Sequence, residues 1–147
     1  MPELTRRRDP DAQQATWLIH YGDVRVGVIA ERVGNPDGTP GWQWSCGFYP
    51  GSEPSEHAHG LAETFEQARD AFEAAWGVFL ARRTEADFAE YRRDRAFRAW
   101  KQAMWAKGCT LSTQVAEGRA LCFCGAAIGL NDMDIHVYAA HMEPETA

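Results

Sequence analysis

No apolar stretch of this chain has the length needed to cross a bilayer; Ala74 to Ala81, for one, is far too short. Arg6, Arg7 and Arg8 are followed by no hydrophobic run, which argues against a secretory leader. No internal repeat or low-complexity tract is present. Catalytic signatures are missing too: the sequence has no phosphate-cradling glycine loop, no nucleophile elbow and no helical His-Glu-x-x-His. Positive charge is scarce. A net charge of −6 and a pI near 5.3 argue against a protein made chiefly to coat nucleic acid. There are only four cysteines. With no leader they point to a reducing cytoplasm, where clustered thiols favour metal over disulfide.

What is present is globular. Hydrophobic residues make up 45% of the 147 and charged residues 24%, with six Trp, seven Phe and four Tyr to build a core. The patterning predicts an α+β body. Residues 1–15, polar and charged with Pro2 and Pro10, read as a flexible arm whose three arginines are solvated. Thr16 to Val33 reads as a hairpin. Trp17, Ile19 and Tyr21 alternate with Leu18 and His20, Gly22-Asp23 makes the turn, and Val24, Val26 and Val28 continue the alternation. Residues 35–41 form a loop rich in proline and glycine. Trp42 to Tyr49 returns as a third strand, with Trp42, Trp44, Cys46 and Phe48 on one face.

Pro50 to Gly60 reads as a second polar loop. Its His57 and His59 are candidates for a second metal site, with Glu53 and Glu56 nearby; ordinary loop histidines are the simpler reading.

Thr64 and Gln67 form a capping box before a long helix. The helix's apolar stripe, Phe65, Ala68, Phe72, Ala75, Trp76, Phe79 and Leu80, would cover the three-stranded antiparallel sheet. Thr84 with Asp87 repeats the cap and starts a second helix to Lys107. Its aromatics, Phe88, Tyr91, Phe97, Trp100, Met104 and Trp105 taken together with methionine, do not make one stripe. This helix is locally basic: Arg82 to Gly108 carries eight Lys or Arg and four acids, a net +4, against −10 for the rest. Such contrast marks either an anionic partner or a solvated face laced by pairs such as Asp94–Arg98. The expected organisation is thus an arm (1–15), a βββαα domain (16–108), a linker (109–118), a metal-held unit (119–142) and a tail (143–147).

The chemistry concentrates in Arg119 to Met142. Cys122 and Cys124 come first; eleven residues separate Cys124 from His136 and four separate His136 from His141. With the cysteines on a turn and the histidines on one helix, these four side chains supply the tetrahedral nitrogen and sulfur set of a structural zinc ion. Asn131 followed by Asp134 would start that helix. The segment is too small to build a core without such an ion.

These residues resemble the two-cysteine, two-histidine zinc finger. The resemblance extends to Ile128 and Met133, which stand where that family keeps apolar residues, and departs in having one residue between the cysteines. It implies a ββα unit with one zinc ion held by Cys122, Cys124, His136 and His141. The string Trp42 to Gly51 and the run Thr64 to Trp76 also resemble a group of small uncharacterised bacterial proteins, a resemblance that implies no activity.

In DNA-reading fingers three helix positions touch bases. Here they fall on Gly129, Asp132 and Ile135, none of which reads a base edge as Arg or Asn does. From Arg119 onward there is one base against four acids, Asp132, Asp134, Glu143 and Glu145. The function expected is therefore a non-enzymatic, zinc-stabilised module that interacts with a protein and not with a membrane. The alternative is non-specific nucleic-acid association through Arg92, Arg93, Arg95, Arg98 and Lys101 of the basic helix.

Overall fold

The computed structural model describes residues 3–34 and 39–142. The expected tail, 143–147, and positions 35–38 of the first loop lie outside them. The chain is α+β, as the patterning predicts, and divides into two compact units, Met1–Tyr91 and Arg92–Ala147. The division falls within the second helix rather than at residues 109–118.

The first unit is a five-stranded antiparallel sheet packed by one helix. Its strands, β1 (Leu4–Arg8), β2 (Thr16–Tyr21), β3 (Val24–Glu31), β4 (Trp42–Cys46) and β5 (Ala58–Ala62), lie side by side in chain order. The β2–β3 hairpin turns through Gly22-Asp23, where Gly22 takes a positive φ of 60°.

Two strands depart from the sequence reading. The expected arm contains β1, which pairs along its whole length with β2, Leu4 opposite Tyr21 and Arg8 opposite Trp17. Two of its three arginines lie over aromatic rings: the Arg6 guanidinium is 4.7 Å from the Trp17 ring centroid and 4.9 Å from that of Phe65, and that of Arg8 is 5.7 Å from Trp17. The expected loop before Gly60 contains a short 3-10 turn, Pro54–Glu56, and then β5, which pairs with β4. Backbone pairing fixes β5 even though Ala-His-Gly-Leu-Ala carries no β-branched residue.

Helix α1 (Phe65–Ala81) starts at the predicted box. The Gln67 backbone N–H donates to Thr64 Oγ1 at 3.2 Å, and the Glu63 N–H to Gln67 Oε1 at 3.2 Å. Ala68, Phe72, Trp76 and Phe79 are buried from this helix, against Ile19, Ile29, Cys46 and Phe48 of the sheet side. Trp42 packs edge-on to Phe65 and Trp44 edge-on to Phe72. One buried polar device ties the loop after β4 to the end of α1. Arg83, its side chain 4% exposed, pairs with Glu56, donates to the Gly51 carbonyl at 2.6 Å, and lies 4.4 Å from the Phe79 ring centroid.

Helix α2 (Glu85–Ala106) has its own reciprocal box, Thr84 N–H to Asp87 Oδ2 at 2.8 Å and Asp87 N–H to Thr84 Oγ1 at 3.3 Å. Its aromatics form no single stripe because the helix serves two cores. Phe88 and Tyr91 belong to the core of the first unit, whereas Phe97, Trp100 and Met104 belong to that of the second.

The second unit continues with strands β6 (Arg119–Leu121) and β7 (Ala127–Gly129), an antiparallel pair, and helix α3 (Met133–Ala140). This is the expected ββα unit. Ile128, Val137 and Cys122 are buried together with Trp100 and Met104. The segment 109–118 is not a free linker. Ser112 is buried and donates its hydroxyl to the Ile128 carbonyl at 2.9 Å, while Cys109 and Leu111 pack against the same core.

Candidate metal centre

The turn between β6 and β7 places both sulfurs. The Gly125 N–H donates to the Cys122 carbonyl at 2.9 Å, and the Cys122 N–H to that of Ala126 at 2.9 Å. Gly125 takes a φ of +94°, which a glycine adopts without strain. This tight reversal accommodates a single residue between the cysteines. Cys122 is buried at the end of β6, and Cys124 is exposed on the turn.

The imidazoles arrive from α3. Asp132, rather than Asn131, is the residue before the first turn, and it gives no side-chain cap; the Asp134 carboxylate accepts instead from the Ile135 N–H at 2.9 Å. His136 lies within the helix. His141 is its C-cap, with its N–H on the Val137 carbonyl at 2.8 Å. Val137, between them, points into the core and fixes the helix's rotation.

The four ligand atoms lie within 4.8 Å of one another. Cys122 Sγ is 3.3 Å from His141 Nε2, Cys124 Sγ is 3.5 Å from His136 Nε2, and the two Nε2 atoms are 3.1 Å apart. A tetrahedron with metal–sulfur bonds of about 2.3 Å and metal–nitrogen bonds of about 2.0 Å has N–N edges of about 3.3 Å and S–N edges of about 3.5 Å. These three separations are close to such edges, and the cluster could hold a metal ion. It is the one group of three or more such donors among the described residues.

The electrostatics suit a cation. Burial raises the pKa of the Cys122 thiol, but hydrogen bonds from the Cys124 backbone and the Trp100 indole outweigh it and bring the thiol below its ordinary value. Trp100 donates its Nε1–H to Cys122 Sγ at 3.3 Å within the core. Burial, then the neighbouring His136, lowers the pKa of His141, which keeps that imidazole neutral and its lone pair free. Phe123 flanks the site, its ring 5.0 Å from that of His141.

Other sequence candidates are placed elsewhere. His57 Nε2 lies 2.8 Å from Ser52 Oγ and 3.2 Å from the Phe48 carbonyl, and its ring packs on Phe79. His59 sits on β5 opposite Ser45, so the pair forms no second cluster among the described residues. Cys46 is buried in the first core, which pushes its thiol up to about 12, and it behaves as an apolar side chain. Of the basic helix residues, Arg93, Arg98 and Lys101 are exposed, whereas Arg92 and Arg95 are half-buried and hold other contacts. Trp100 is the site residue that sequence reasoning missed; nothing in its spacing distinguished it from an ordinary core aromatic.

Comparison of the chain with protein families, with curated proteins and with solved structures found no match. Among the described residues, no helix is long and apolar enough to cross a membrane.

Proposed function

We propose that the second unit is a zinc-stabilised interaction module without catalytic activity. The observation that carries this reading is the convergence of two sulfurs and two imidazole nitrogens within 4.8 Å of one another. A mixed thiolate and imidazole set suits zinc better than the oxygen-seeking magnesium or calcium. Cys122 and Cys124 would bind as thiolates and His136 and His141 as neutral imidazoles through Nε2. Four protein ligands leave no open position for water, so the ion would hold structure rather than activate a nucleophile.

The ion's role follows from the size of its surroundings. The buried cluster of the second unit comprises Trp100, Met104, Cys122, Ile128 and Val137, a small core that metal ligation would supplement. Zinc binding of this kind supplies roughly 10–16 kcal/mol at neutral pH. On the finger itself a protein is the favoured partner. Ile135, Tyr138 and Leu130 are exposed there, while Asp132 and Asp134 would repel phosphate.

Metal content of the native protein tests the reading, alongside a Cys122→Ser, Cys124→Ser double variant. One equivalent of zinc in the first and none in the second is expected. The visible spectrum of the cobalt-substituted protein should be that of a tetrahedral S2N2 site. Metal-free native protein, or a cobalt spectrum with exchangeable water, would overturn it.

A further inference from the structure

We infer that the outer face of α2 near its C-terminal end binds single-stranded nucleic acid, with Trp105 stacking on a base and Arg98 and Lys101 contacting phosphates. The inference concerns a surface other than the finger and is independent of which metal the finger holds.

Charge is the first observation. In a chain of net −6, the stretch from Arg95 to Ala116 contains no acid at all, yet carries Arg95, Arg98, Lys101 and Lys107. Sequence-local charge becomes a surface once the helix is formed. Trp100 and Met104 turn one side of α2 into the core of the second unit. At 100° per residue, Arg98, Lys101, Gln102 and Trp105 share an arc of about 100°, centred about 130° around the helix from those two. The Arg98 side chain is 61% exposed, and Lys101 and Gln102 are exposed beside it.

Trp105 is the second observation. It is 79% exposed, the most exposed of the large hydrophobic side chains described. An indole left in water loses the burial that usually fixes tryptophan in place, and a flat π face is what an unpaired base stacks on. Lys101 lies one turn before it, about 6 Å along the axis, and Arg98 about 10 Å. A strand running along the helix could thus place a base on the indole and successive phosphates on the cations.

Asp94 is the competing anion, 2.7 Å from Arg98. Such an exposed pair is worth little, and a phosphate can take its place. The face has no array of base-edge readers, so binding would be tolerant of sequence. A duplex hides the base faces that the indole needs and should bind more weakly. An acidic polypeptide would satisfy the two cations but offers no planar group to Trp105.

Fluorescence anisotropy of a labelled pyrimidine single strand of about 15 nucleotides, titrated with the full chain, tests this. Binding is expected at low salt. With two phosphates neutralised, the log–log salt slope should be roughly −1.4. Trp105→Ala should weaken binding by about ten-fold or more, and Trp105→Phe should restore most of the loss. The Arg98→Ala, Lys101→Ala double variant should lower both affinity and slope. Arg69→Ala, on α1, should change neither. Because Trp105 and Lys101 are exposed, the variants should keep the wild-type circular dichroism, which checks their folding. Absence of binding at low salt, affinity unchanged in Trp105→Ala, equal binding of the duplex, or competition by polyglutamate equal to that by the oligonucleotide would each overturn the inference.

Discussion

At the scale of single residues, the indole of Trp100 would tune the candidate metal centre through Cys122, without itself being a metal donor. Its N–H on Cys122 Sγ stabilises negative charge on a thiol whose residue is only 3% exposed. Trp100→Phe keeps a ring in the core, though a smaller one, and removes the donor. Metal affinity should then fall about ten-fold, measured by competition with a chromophoric chelator. His141 brings a pH dependence of definite sign. Its folded pKa lies below the ordinary value, so the unfolded chain takes up the proton first. Acid therefore favours unfolding, and the stability of the second unit should decline as pH drops through about 6.5 and on through the folded pKa. Denaturant midpoints at several pH values would show this decline, reduced in His141→Gln. All four candidate donors were legible from sequence because their spacing is local. Trp100 was not, since it stands 22 residues before the sulfur it bonds and its position follows only from how the helix packs.

Elements tell a similar story about which signals survive in a sequence. Helix α1 was fully marked by its cap and its stripe. Strand β1 was hidden because Leu-Thr-Arg-Arg-Arg reads as a solvated tail, and the rings under Arg6 become neighbours only after β2 and α1 fold. The broken stripe of α2 was visible, but its cause, a change of core between Tyr91 and Phe97, required three dimensions. Within β3, Gly27 leaves room for the Phe72 ring of α1. A Cβ there would collide with the Ser45 carbonyl oxygen and the Phe72 ring. Gly27→Ala should destabilise the first unit by about 1–3 kcal/mol, seen as a lower melting temperature, with metal content unchanged.

For the whole molecule, the two units differ in what holds them. The first has a large aromatic core; the second has a small one beside four convergent candidate metal donors. Chelation should therefore act unequally. Excess chelator should remove helical signal from α3 and the last turns of α2 in far-ultraviolet circular dichroism, while the tryptophan-rich core of the first unit keeps its near-ultraviolet signal and its thermal transition. Loss of both transitions together would show that the metal's influence reaches beyond the second unit.

The arginine-bearing strand at the margin of the sheet has a consequence for handling the protein. Leu4–Arg8 occupies the backbone donors and acceptors along one side of β2. A version beginning at residue 10 would leave that row of amides open beside Trp17 and Ile19, with no charged border to deter a second copy. Such a shortened chain should self-associate at concentrations where the full chain stays monodisperse, a difference light scattering would register. For the same reason, a fusion partner or affinity handle is better placed away from this end.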